Sequence, residues 1–299
     1  MSVTLRATSY GWHGEFRAMA SPCEVLLEPC DQALALQLLQ LAQGEALRIE
    51  HKYSRYRSDS VLSQLNAHAG QSQAIDSETA QLLAFARQCF ALSDGMFDIS
   101  SGVLRRVWTF DGSDRLPKPE AVAALLPLIG FDKVEFDAQQ LYLPAQMELD
   151  FGGIAKEYAV DKVAQLLDSA TRTIAPQLRM VVNFGGDMVA VRQQDAEHPW
   201  QIGIEHPGLV DNAAMVVSLR AGALATSGDA RRFLLCDGVR YGHILNPKTG
   251  WPVLGAPRSI TISAPSCTLA GLLATTALLQ GSAAQQFLDA QQISYWLIP

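Results

Sequence analysis

The feature that most constrains this chain is the segment LDFGGIAKEYAVDK, which occupies residues 149–162. Its pattern predicts a short apolar strand, then the glycine pair Gly152-Gly153, then an amphipathic helix that continues through Leu167. Glycines remove side-chain bulk, and the free amide groups at a helix start favour a bound anion. Lys156 lies in the first turn of this helix and can reach the same anion. Two glycines also occur in strand-to-helix turns for tight packing alone, so the segment by itself leaves both interpretations open.

The composition describes an ordinary globular protein and argues against several functional classes. Of the 299 residues, 48% are hydrophobic and 18% are charged, which is typical of a folded chain. The net charge is −7 and no basic run occurs, so the electrostatic signature of a nucleic-acid-binding protein is missing. The five cysteines are scattered and form no CxxC pair, which favours reduced thiols over a zinc site or a disulfide framework.

The start of the chain bears on its location. The first twenty residues contain Arg6, His13, Glu15 and Arg17, so they cannot form the apolar core of a signal peptide. Cys23 follows no apolar segment and is not a plausible lipid-anchor cysteine. No apolar run reaches membrane-spanning length. We therefore expect a cytoplasmic protein that binds neither membrane nor nucleic acid.

Hydrophobic periodicity predicts a mainly helical first half and a strand-rich second half. The predicted elements of the first half are a strand over residues 16–27 interrupted by Ser21-Pro22, a helix over residues 32–51, a short helix capped by Asp59 or Ser60, a helix that starts at Ser77, and a β-hairpin over residues 133–149. Those of the second half are two strands within residues 180–190 joined at Gly185-Gly186, strands at residues 200–204, 214–219 and 259–264, and an apolar helix over residues 268–279.

This arrangement predicts an α+β fold, with a largely antiparallel central sheet flanked by helices. The sequence contains no repeat, low-complexity tract or linker. We therefore interpret residues 1–299 as a single domain made of two intimate subdomains, without an assignable boundary.

Two further motifs offer candidate functional side chains. In Met96-Phe97-Asp98, the aspartate either forms an Asx turn that caps the next helix or contributes a carboxylate to a cleft. His243 lies between a predicted strand and the turn NPKTG. A lone histidine is more often a structural hydrogen-bonding group than a catalyst, so the residues alone leave its role open.

Taken together, these blocks resemble the ApbE family of FAD:protein FMN transferases. The blocks that carry the resemblance are, in order, LDFGGIAK with the downstream YAVD, VVNFGGD, ATSGD, and YGHILNPKTG with WPV. The likeness extends from Met19 to Gly281. It implies an ApbE-like (T-fold-like) fold, with the nucleotide in a cleft between the two subdomains.

The resemblance also implies a reaction. Members of the family bind FAD, use Mg²⁺ to cleave its pyrophosphate, and attach FMN through a phosphoester to a threonine or serine of a target flavoprotein. Such a reaction needs the charge that develops on the phosphoryl oxygens to be neutralised, and the acceptor hydroxyl to be held in line.

Individual roles follow from the matched motifs. The residues implied to contact FAD are Met19 and Tyr56 along the flavin nucleotide, Met96, Phe97 and Asp98 on the adenine and ribose side, Asp150 and Lys156 beside the glycine turn, and Leu245 against the cofactor. His243 matches the conspicuous histidine of the family and is the implied catalytic residue. The backbone carbonyl of Gly153 and the hydroxyl of Thr275 are the implied Mg²⁺ ligands, since oxygen donors suit a hard cation.

Two positions depart from the family pattern. Gly271 stands where the family has the aspartate that is its principal metal carboxylate, and Glu157 stands where a glycine is usual. Loss of the only anionic ligand is expected to weaken Mg²⁺ binding. Glu157, Asp187 and Asp229 are candidates to replace it, although each aspartate can equally cap a turn.

Three functions therefore stay open: an active transferase with a rearranged metal site, a flavin-binding relative that has lost transfer, and a scaffold that does not use nucleotide. The FAD-side residues argue against the scaffold. On this basis we expect Gly271→Asp to improve transfer, and Lys156→Ala to weaken FAD binding by about 1–3 kcal/mol.

Overall fold

A large antiparallel sheet forms the centre of the computed structural model, which describes residues 2–192, 198–229 and 232–299. The strands in chain order are β1 (Thr4–Thr8), β2 (Gly11–Ala18), β3 (Ser21–Leu27), β4 (Ser72–Ala74), β5 (Glu135–Phe136), β6 (Gln140–Tyr142), β7 (Met180–Phe184), β8 (Asp187–Val191), β9 (Trp200–His206), β10 (Leu209–Leu219), β11 (Gly222–Gly228), β12 (Phe233–Cys236), β13 (Val239–Gly242), β14 (Ser259–Ala264) and β15 (Tyr295–Ile298). Eight of them form the central sheet in the order β1-β2-β3-β7-β8-β11-β14-β15, with each neighbouring pair antiparallel. The predicted α+β class with a largely antiparallel sheet is therefore confirmed.

Three helices cover one face of this sheet. The α-helices in chain order are α1 (Gln32–Tyr53), α2 (Val61–Ala67), α3 (Ser77–Leu92), α4 (Pro119–Ala123), α5 (Ala155–Thr171), α6 (Cys267–Leu279) and α7 (Ala284–Gln291). The three that cover the sheet are α1, α5 and α6. Because side chains alternate along a strand, Met180, Val182 and Phe184 of β7 point toward α1, α5 and α6 and join the main core. The same alternation points Asp187 of β8 and Ser227 of β11 toward the helices, which brings these two polar residues to the candidate site.

The β9–β10 hairpin covers the opposite face of the sheet. A second apolar cluster joins Val181 and Met188 of the sheet to Ile204 and Val217 of the hairpin. The predicted strands over residues 200–204 and 214–219 are thus confirmed, although both extend further, to His206 and back to Leu209.

A smaller region packs beside the sheet and presents the NPKTG turn. Its core contains Leu104, Trp108 and Leu234, and the Trp108 indole donates a hydrogen bond to the Gly250 carbonyl at 2.9 Å. The turn closes with the Gly250 amide donating to the Asn246 carbonyl at 2.7 Å, and Gly250 has a φ of +74°. The separate three-stranded sheet β4-β6-β5 and the two-stranded sheet β12-β13 lie outside the central sheet.

The long helices agree with their predictions because their caps and apolar periodicity are local. Helix α1 begins at Gln32 as predicted, where the Asp31 carboxylate accepts hydrogen bonds from the amides of Ala33 and Leu34. Helix α2 is capped by Ser60, whose hydroxyl accepts from the Ser63 amide.

The single strand predicted over residues 16–27 is wrong. The segment is a hairpin of β2 and β3, which turns at Met19 and Ala20. Both turn residues have positive φ, 54° and 56°, a combination that matches the twist of a tight hairpin. Pro22 lies at the start of β3, where proline is tolerated in a sheet. The hairpin predicted over residues 133–149 exists but is shorter, since β5 begins at Glu135 and β6 ends at Tyr142.

The strand predicted just before the Gly152-Gly153 pair is also wrong. The structure shows an irregular segment with one isolated bridge, between Ser101 and Glu148. The Asn66 side chain replaces a neighbouring strand: its amide donates to the Leu149 carbonyl at 2.9 Å, and its oxygen accepts from the Leu149 amide at 2.8 Å. The backbone is therefore satisfied without a sheet.

Two general findings complete the description. The five cysteines are all free. Within the described residues, no helix has both the length and the apolar character needed to cross a bilayer.

Candidate functional site

The first turn of α5 carries an ion pair with the central sheet. The Lys156 ammonium lies 2.6 Å from Asp187 Oδ2, and Asp187, the first residue of β8, is only 1% exposed. Its other oxygen accepts from the Thr226 amide at 3.0 Å. Burial alone would lower the pKa of Lys156, but the negative charges of Asp187 and Glu157 outweigh it and the pKa is raised. Lys156 is therefore charged at neutral pH and held at the site by a buried carboxylate.

Glu157 is the next residue, and it is buried without a comparable partner. It is 8% exposed, and within the described residues its Oε2 atom has no hydrogen-bond partner. Burial raises its pKa, the nearby charge of Asp187 raises it further, and Lys156 acts in the opposite direction. A buried carboxylate is costly unless something neutralises or coordinates it, so Glu157 is the most unusual acidic group in the site.

Gly271 of α6 lies directly against Glu157. A Cβ atom added to Gly271 would lie 2.7 Å from Glu157 Cγ and 3.0 Å from Glu157 Oε1, closer than real Cβ contacts. The Glu157 side chain therefore occupies the space that a side chain at position 271 would need. This overlap argues against our expectation that Gly271→Asp alone would improve transfer, because a side chain at position 271 needs Glu157 to move.

An aspartate one turn further along α5 explains why the two helices meet here. The Asp161 carboxylate accepts hydrogen bonds from the Cys267 amide at 2.8 Å and the Thr268 amide at 2.9 Å, and also from the Thr268 hydroxyl. These amides are among the unpaired donors of the first turn of α6. Asp161 thereby fixes the start of α6 against α5, with Glu157 beside Gly271.

One group implied as a Mg²⁺ ligand lies on α6, and the other lies just before α5. Thr275 is four residues after Gly271 on α6, and its hydroxyl lies 2.9 Å from the Ser227 hydroxyl of β11. Gly153 is exposed and precedes α5, two residues before the helix begins at Ala155. Thr275 therefore lies one turn along α6 from Gly271, the residue that contacts Glu157, and its hydroxyl is an oxygen donor.

The other predicted residues of the glycine turn form a second charged group. Asp150 Oδ1 accepts from the Gly152 amide at 2.8 Å, and Asp150 Oδ2 pairs with the Arg55 guanidinium. Arg55 also donates to the Tyr56 hydroxyl at 2.8 Å and lies 5.0 Å from the centre of that ring. Tyr56 is 74% exposed, so its ring is available to a ligand.

The Met96-Phe97-Asp98 segment shapes the wall next to this turn. Asp98 accepts from the Ser100 amide at 2.7 Å, the Ser100 hydroxyl at 2.6 Å and the Phe131 amide at 3.2 Å. This is the Asx-turn arrangement, and burial raises the pKa of the carboxyl. Asp98 also lines a cavity of about 400 Å³ with Lys248 of the NPKTG turn. Met96 is partly exposed, and the buried Phe97 ring lies 3.3 Å from where a Cβ on Gly153 would be.

His243 lies on the far side of the site, just after β13. Its Nδ1 atom is 3.3 Å from the Arg232 carbonyl, and its ring packs edge-on against Phe110 at 6.4 Å. Burial, followed by the positive charge of Arg232, lowers the pKa of His243 to about 4, and Lys156 contributes in the same direction. The imidazole is therefore neutral at physiological pH.

Asp229 does not fit the role of a replacement metal ligand. Its two oxygens pair with the Arg258 and Arg240 side chains at 2.7 and 2.8 Å. Two guanidinium groups neutralise the carboxylate and occupy its oxygens. With His243, Asp229 lines a second cavity of about 200 Å³.

Met19 and Leu245 are placed by the surrounding fold. Met19 is in the β2–β3 turn and packs partly buried against the main core. Leu245 forms a bridge with Pro252 and packs beside Trp108 and Trp251. No ligand contact tests either assignment, so both stay predictions.

The sequence analysis missed Arg55 and Ser227. Arg55 lies in the segment YSRYRS directly before Tyr56, and Ser227 lies in the ATSGD block that carries part of the family resemblance. Neither has a spacing that reveals its partner, because Asp150 and Thr275 are distant in the chain. The ATSGD block was nevertheless a usable signal for Ser227.

Comparison with known proteins decides the family. The ApbE family profile matches residues 19–297. The chain belongs to the ApbE family. Two curated relatives are named FAD:protein FMN transferase: one from Treponema pallidum, 35% identical over 249 residues (76% of this chain and 67% of the relative), and one from Haemophilus influenzae, 30% identical over 246 residues (78% and 69%).

Solved structures support the same assignment to the ApbE family. The ApbE protein of Thermotoga maritima has a TM-score of 0.82 at 29% identity, covering 95% of this chain and 93% of that one. The apo form of the Pseudomonas stutzeri flavinyl transferase ApbE has a TM-score of 0.80 at 26% identity, covering 99% and 91%. The ApbE-like fold predicted from the sequence blocks is thus confirmed.

Proposed function

We propose that this chain is an FAD:protein FMN transferase, which moves FMN from FAD to a threonine or serine hydroxyl of a target flavoprotein. The observation that carries the proposal is the meeting of distant sequence blocks at one site. Lys156 of the LDFGGIAK block lies 2.6 Å from Asp187 of the VVNFGGD block, and Asp187 accepts a hydrogen bond from the Thr226 amide of the ATSGD block at 3.0 Å. The names of the relatives supply the reaction, and this geometry supplies residues able to perform it.

The proposed FAD site extends from Tyr56 to the 400 Å³ cavity. The exposed Tyr56 ring offers a stacking surface for an aromatic group of FAD. Lys156 and the amides of the Gly152-Gly153 turn offer positive charge and donors to the pyrophosphate. The cavity that contains Asp98 and Lys248 offers space for the adenosine end.

The reaction requires a proton acceptor for the target hydroxyl, and we assign this role to His243. A carbonyl oxygen can only accept, so the contact with Arg232 is made by a protonated Nδ1, which leaves Nε2 as the accepting atom. The hydroxyl oxygen of the target attacks the phosphorus of the FMN half of FAD, and its proton passes to Nε2. The bond from that phosphorus to the bridging oxygen breaks, and AMP leaves with that oxygen.

The donor set fits the Mg²⁺ ion that the family implies. The Gly153 carbonyl and the Thr275 hydroxyl are oxygen donors of the kind a hard cation prefers. The buried Glu157 side chain lies against Gly271 of α6, and one of its carboxylate oxygens has no hydrogen-bond partner among the described residues. When bound, the ion would neutralise charge on the pyrophosphate oxygens.

The alternative of an impaired FAD-binding relative depended on the missing carboxylate at Gly271. Glu157 lies in that space, so the premise of the alternative is weakened. A cytoplasmic location and a single domain over residues 1–299 remain predictions.

The test uses purified protein with FAD, MgCl₂ and candidate target flavoproteins that expose threonine or serine. We expect covalent FMN fluorescence on the target after denaturing electrophoresis, and AMP released in equal amount. His243→Ala should abolish both products while FAD binding persists. Tight FAD binding without covalent FMN on any target would contradict the proposal and favour the impaired relative.

A further inference from the structure

We infer that Glu157 supplies the carboxylate of the metal site, and that position 271 is glycine because this carboxylate occupies the space beside it. The inference rests on the proposed function, since it concerns the divalent cation of the same site. It treats the two departures from the family pattern as one exchange, in which the acidic side chain moves from α6 to α5.

The steric relation is the first argument. A Cβ on Gly271 would come within 2.7 Å of Glu157 Cγ and within 3.0 Å of Glu157 Oε1, so the two positions cannot both carry side chains in this arrangement. The Cγ atom is in the middle of the side chain and cannot move away as freely as a terminal atom. Conversely, a glycine at position 157 would free that space for a side chain at position 271.

The second argument is that the Glu157 carboxylate has an uncommitted oxygen. The whole Glu157 residue is only 8% exposed, and among the described residues its Oε2 atom has no hydrogen-bond partner. The Lys156 ammonium contacts Asp187 instead, at 2.6 Å. A buried carboxylate kept only for structure is normally paired, so this oxygen points to a ligand.

The third argument is that the other nearby carboxylates are occupied. Asp187 pairs with Lys156 and accepts from the Thr226 amide. Asp161 caps the first turn of α6 with both oxygens. Asp229 pairs with two arginines. Glu157 is thus the acidic residue of the described site that is free to bind a cation.

The surrounding donors suit a hard divalent cation. Gly153 lies two residues before α5 begins, and Glu157 lies in the first turn of that helix. On α6, Gly271 and Thr275 are four residues apart and share one face of the helix. Thr275 is joined to Ser227 by a hydroxyl contact of 2.9 Å. Carboxylate, carbonyl and hydroxyl oxygens form the ligand type that Mg²⁺ and Mn²⁺ accept.

The first experiment measures Mn²⁺ binding by electron paramagnetic resonance, in the presence of saturating FAD. Glu157→Gln keeps the size of the side chain and removes its charge. We expect its Mn²⁺ dissociation constant to rise more than about 100-fold, because loss of even outer-shell partners of a metal costs 10–100-fold. Glu120→Gln, the same change at an exposed position on α4, should bind Mn²⁺ like the unmodified protein.

The second experiment moves the carboxylate back to α6. Glu157→Gly should abolish Mn²⁺ binding, and the double variant Glu157→Gly/Gly271→Asp should restore it to within about tenfold of the unmodified protein. Equal loss in the single and double variants would contradict the exchange.

Thermal unfolding without metal separates a ligand role from a structural one. A structural Glu157 would make Glu157→Gln less stable, whereas a ligand without a partner makes the metal-free variant as stable as the unmodified protein or more so. Added Mn²⁺ should raise the melting temperature of the unmodified protein but not that of Glu157→Gln.

Mn²⁺ affinity unchanged in Glu157→Gln, or no Mn²⁺ binding by the unmodified protein, would overturn the inference. Failure of the proposed function looks different. In that case Mn²⁺ binding depends on Glu157 as described, but no FMN reaches a target protein.

Discussion

Removal of the Lys156 side chain should destabilise the protein even when no nucleotide is present. Its ammonium is 2.6 Å from Asp187, which is 1% exposed, so Lys156→Ala leaves a buried carboxylate without its cation. Breaking a buried ion pair in this way costs about 3–5 kcal/mol. Since the Lys156 side chain is 29% exposed, water can partly replace it, and we expect roughly 2–4 kcal/mol.

The matched control is the double variant Lys156→Ala/Asp187→Asn. Asparagine is neutral and keeps an oxygen for the Thr226 amide, so the second change removes the unpaired charge and retains the hydrogen bond. We expect it to recover much of the loss, with an interaction energy of about 1–3 kcal/mol in the double-mutant cycle. The assay is denaturant or thermal unfolding of metal-free and FAD-free protein, where Lys156→Ala should lower the melting temperature by roughly 4–12 °C.

The same variants identify the source of any loss of FAD affinity. If Lys156 contacts the pyrophosphate, FAD binding is weakened equally in Lys156→Ala and in the double variant, by about 1–3 kcal/mol. If Asp187→Asn restores FAD affinity, the loss came from distortion of the site. Stability changes that simply add in the cycle would refute the coupling argued from the ion pair.

Three other predictions concern single positions. Gly271→Asp alone should lower the stability measured by thermal unfolding by about 1–3 kcal/mol, because its Cβ overlaps Glu157. Adding Glu157→Gly should relieve this loss. A single variant as stable as the unmodified protein would show that Glu157 moves away freely. The pKa of His243 is lowered to about 4, so this base stays neutral above that pH. We therefore expect that kcat/KM for transfer does not fall as the pH is lowered through about 6.5, the ordinary range of a histidine. A fall of kcat/KM centred in that range would contradict the burial of the ring. Gly250→Ala combines a φ of +74° with overlap between the new Cβ and Val122 of α4. It should unfold at a lower temperature than Gly112→Ala, where φ is +81° but the space around the Cβ is open. An equal loss of stability in the two variants would mean that φ strain alone matters.

Much of the fold is predictable because its signals are local. Apolar side chains at helical spacing and a capping aspartate define α1, and the same periodicity defines α5 after its glycine turn. Strand-rich segments joined by short turns are enough to indicate an antiparallel sheet. The two errors in strand assignment differ in cause. The turn at Met19 and Ala20 is local but carries no glycine to mark it, whereas the backbone of Leu149 is satisfied by the side chain of Asn66, which is 83 residues away.

The candidate site divides in the same way. The sequence blocks alone predicted Lys156, Asp150 and His243 as candidate site residues and indicated the family to which the chain belongs, because each block has a characteristic order of residue types. They left two roles open for Asp98, and the Asx turn with Ser100 was one of them. The added hydrogen bond from the Phe131 amide could not be predicted, since it depends on where Phe131 lies in space.

The relation between Glu157 and Gly271 belongs wholly to the tertiary structure. In the sequence they are two unrelated departures, 114 positions apart, and the glycine suggests a loss. Asp161 anchors the first turn of α6 to α5, and the packing of the two helices then places the Glu157 side chain in the space that Gly271 leaves. The sequence determined which residue types were present. Only the packing of α5 against α6 decided that the Glu157 side chain lies beside Gly271, because steric exclusion between two helices leaves no local pattern in the sequence.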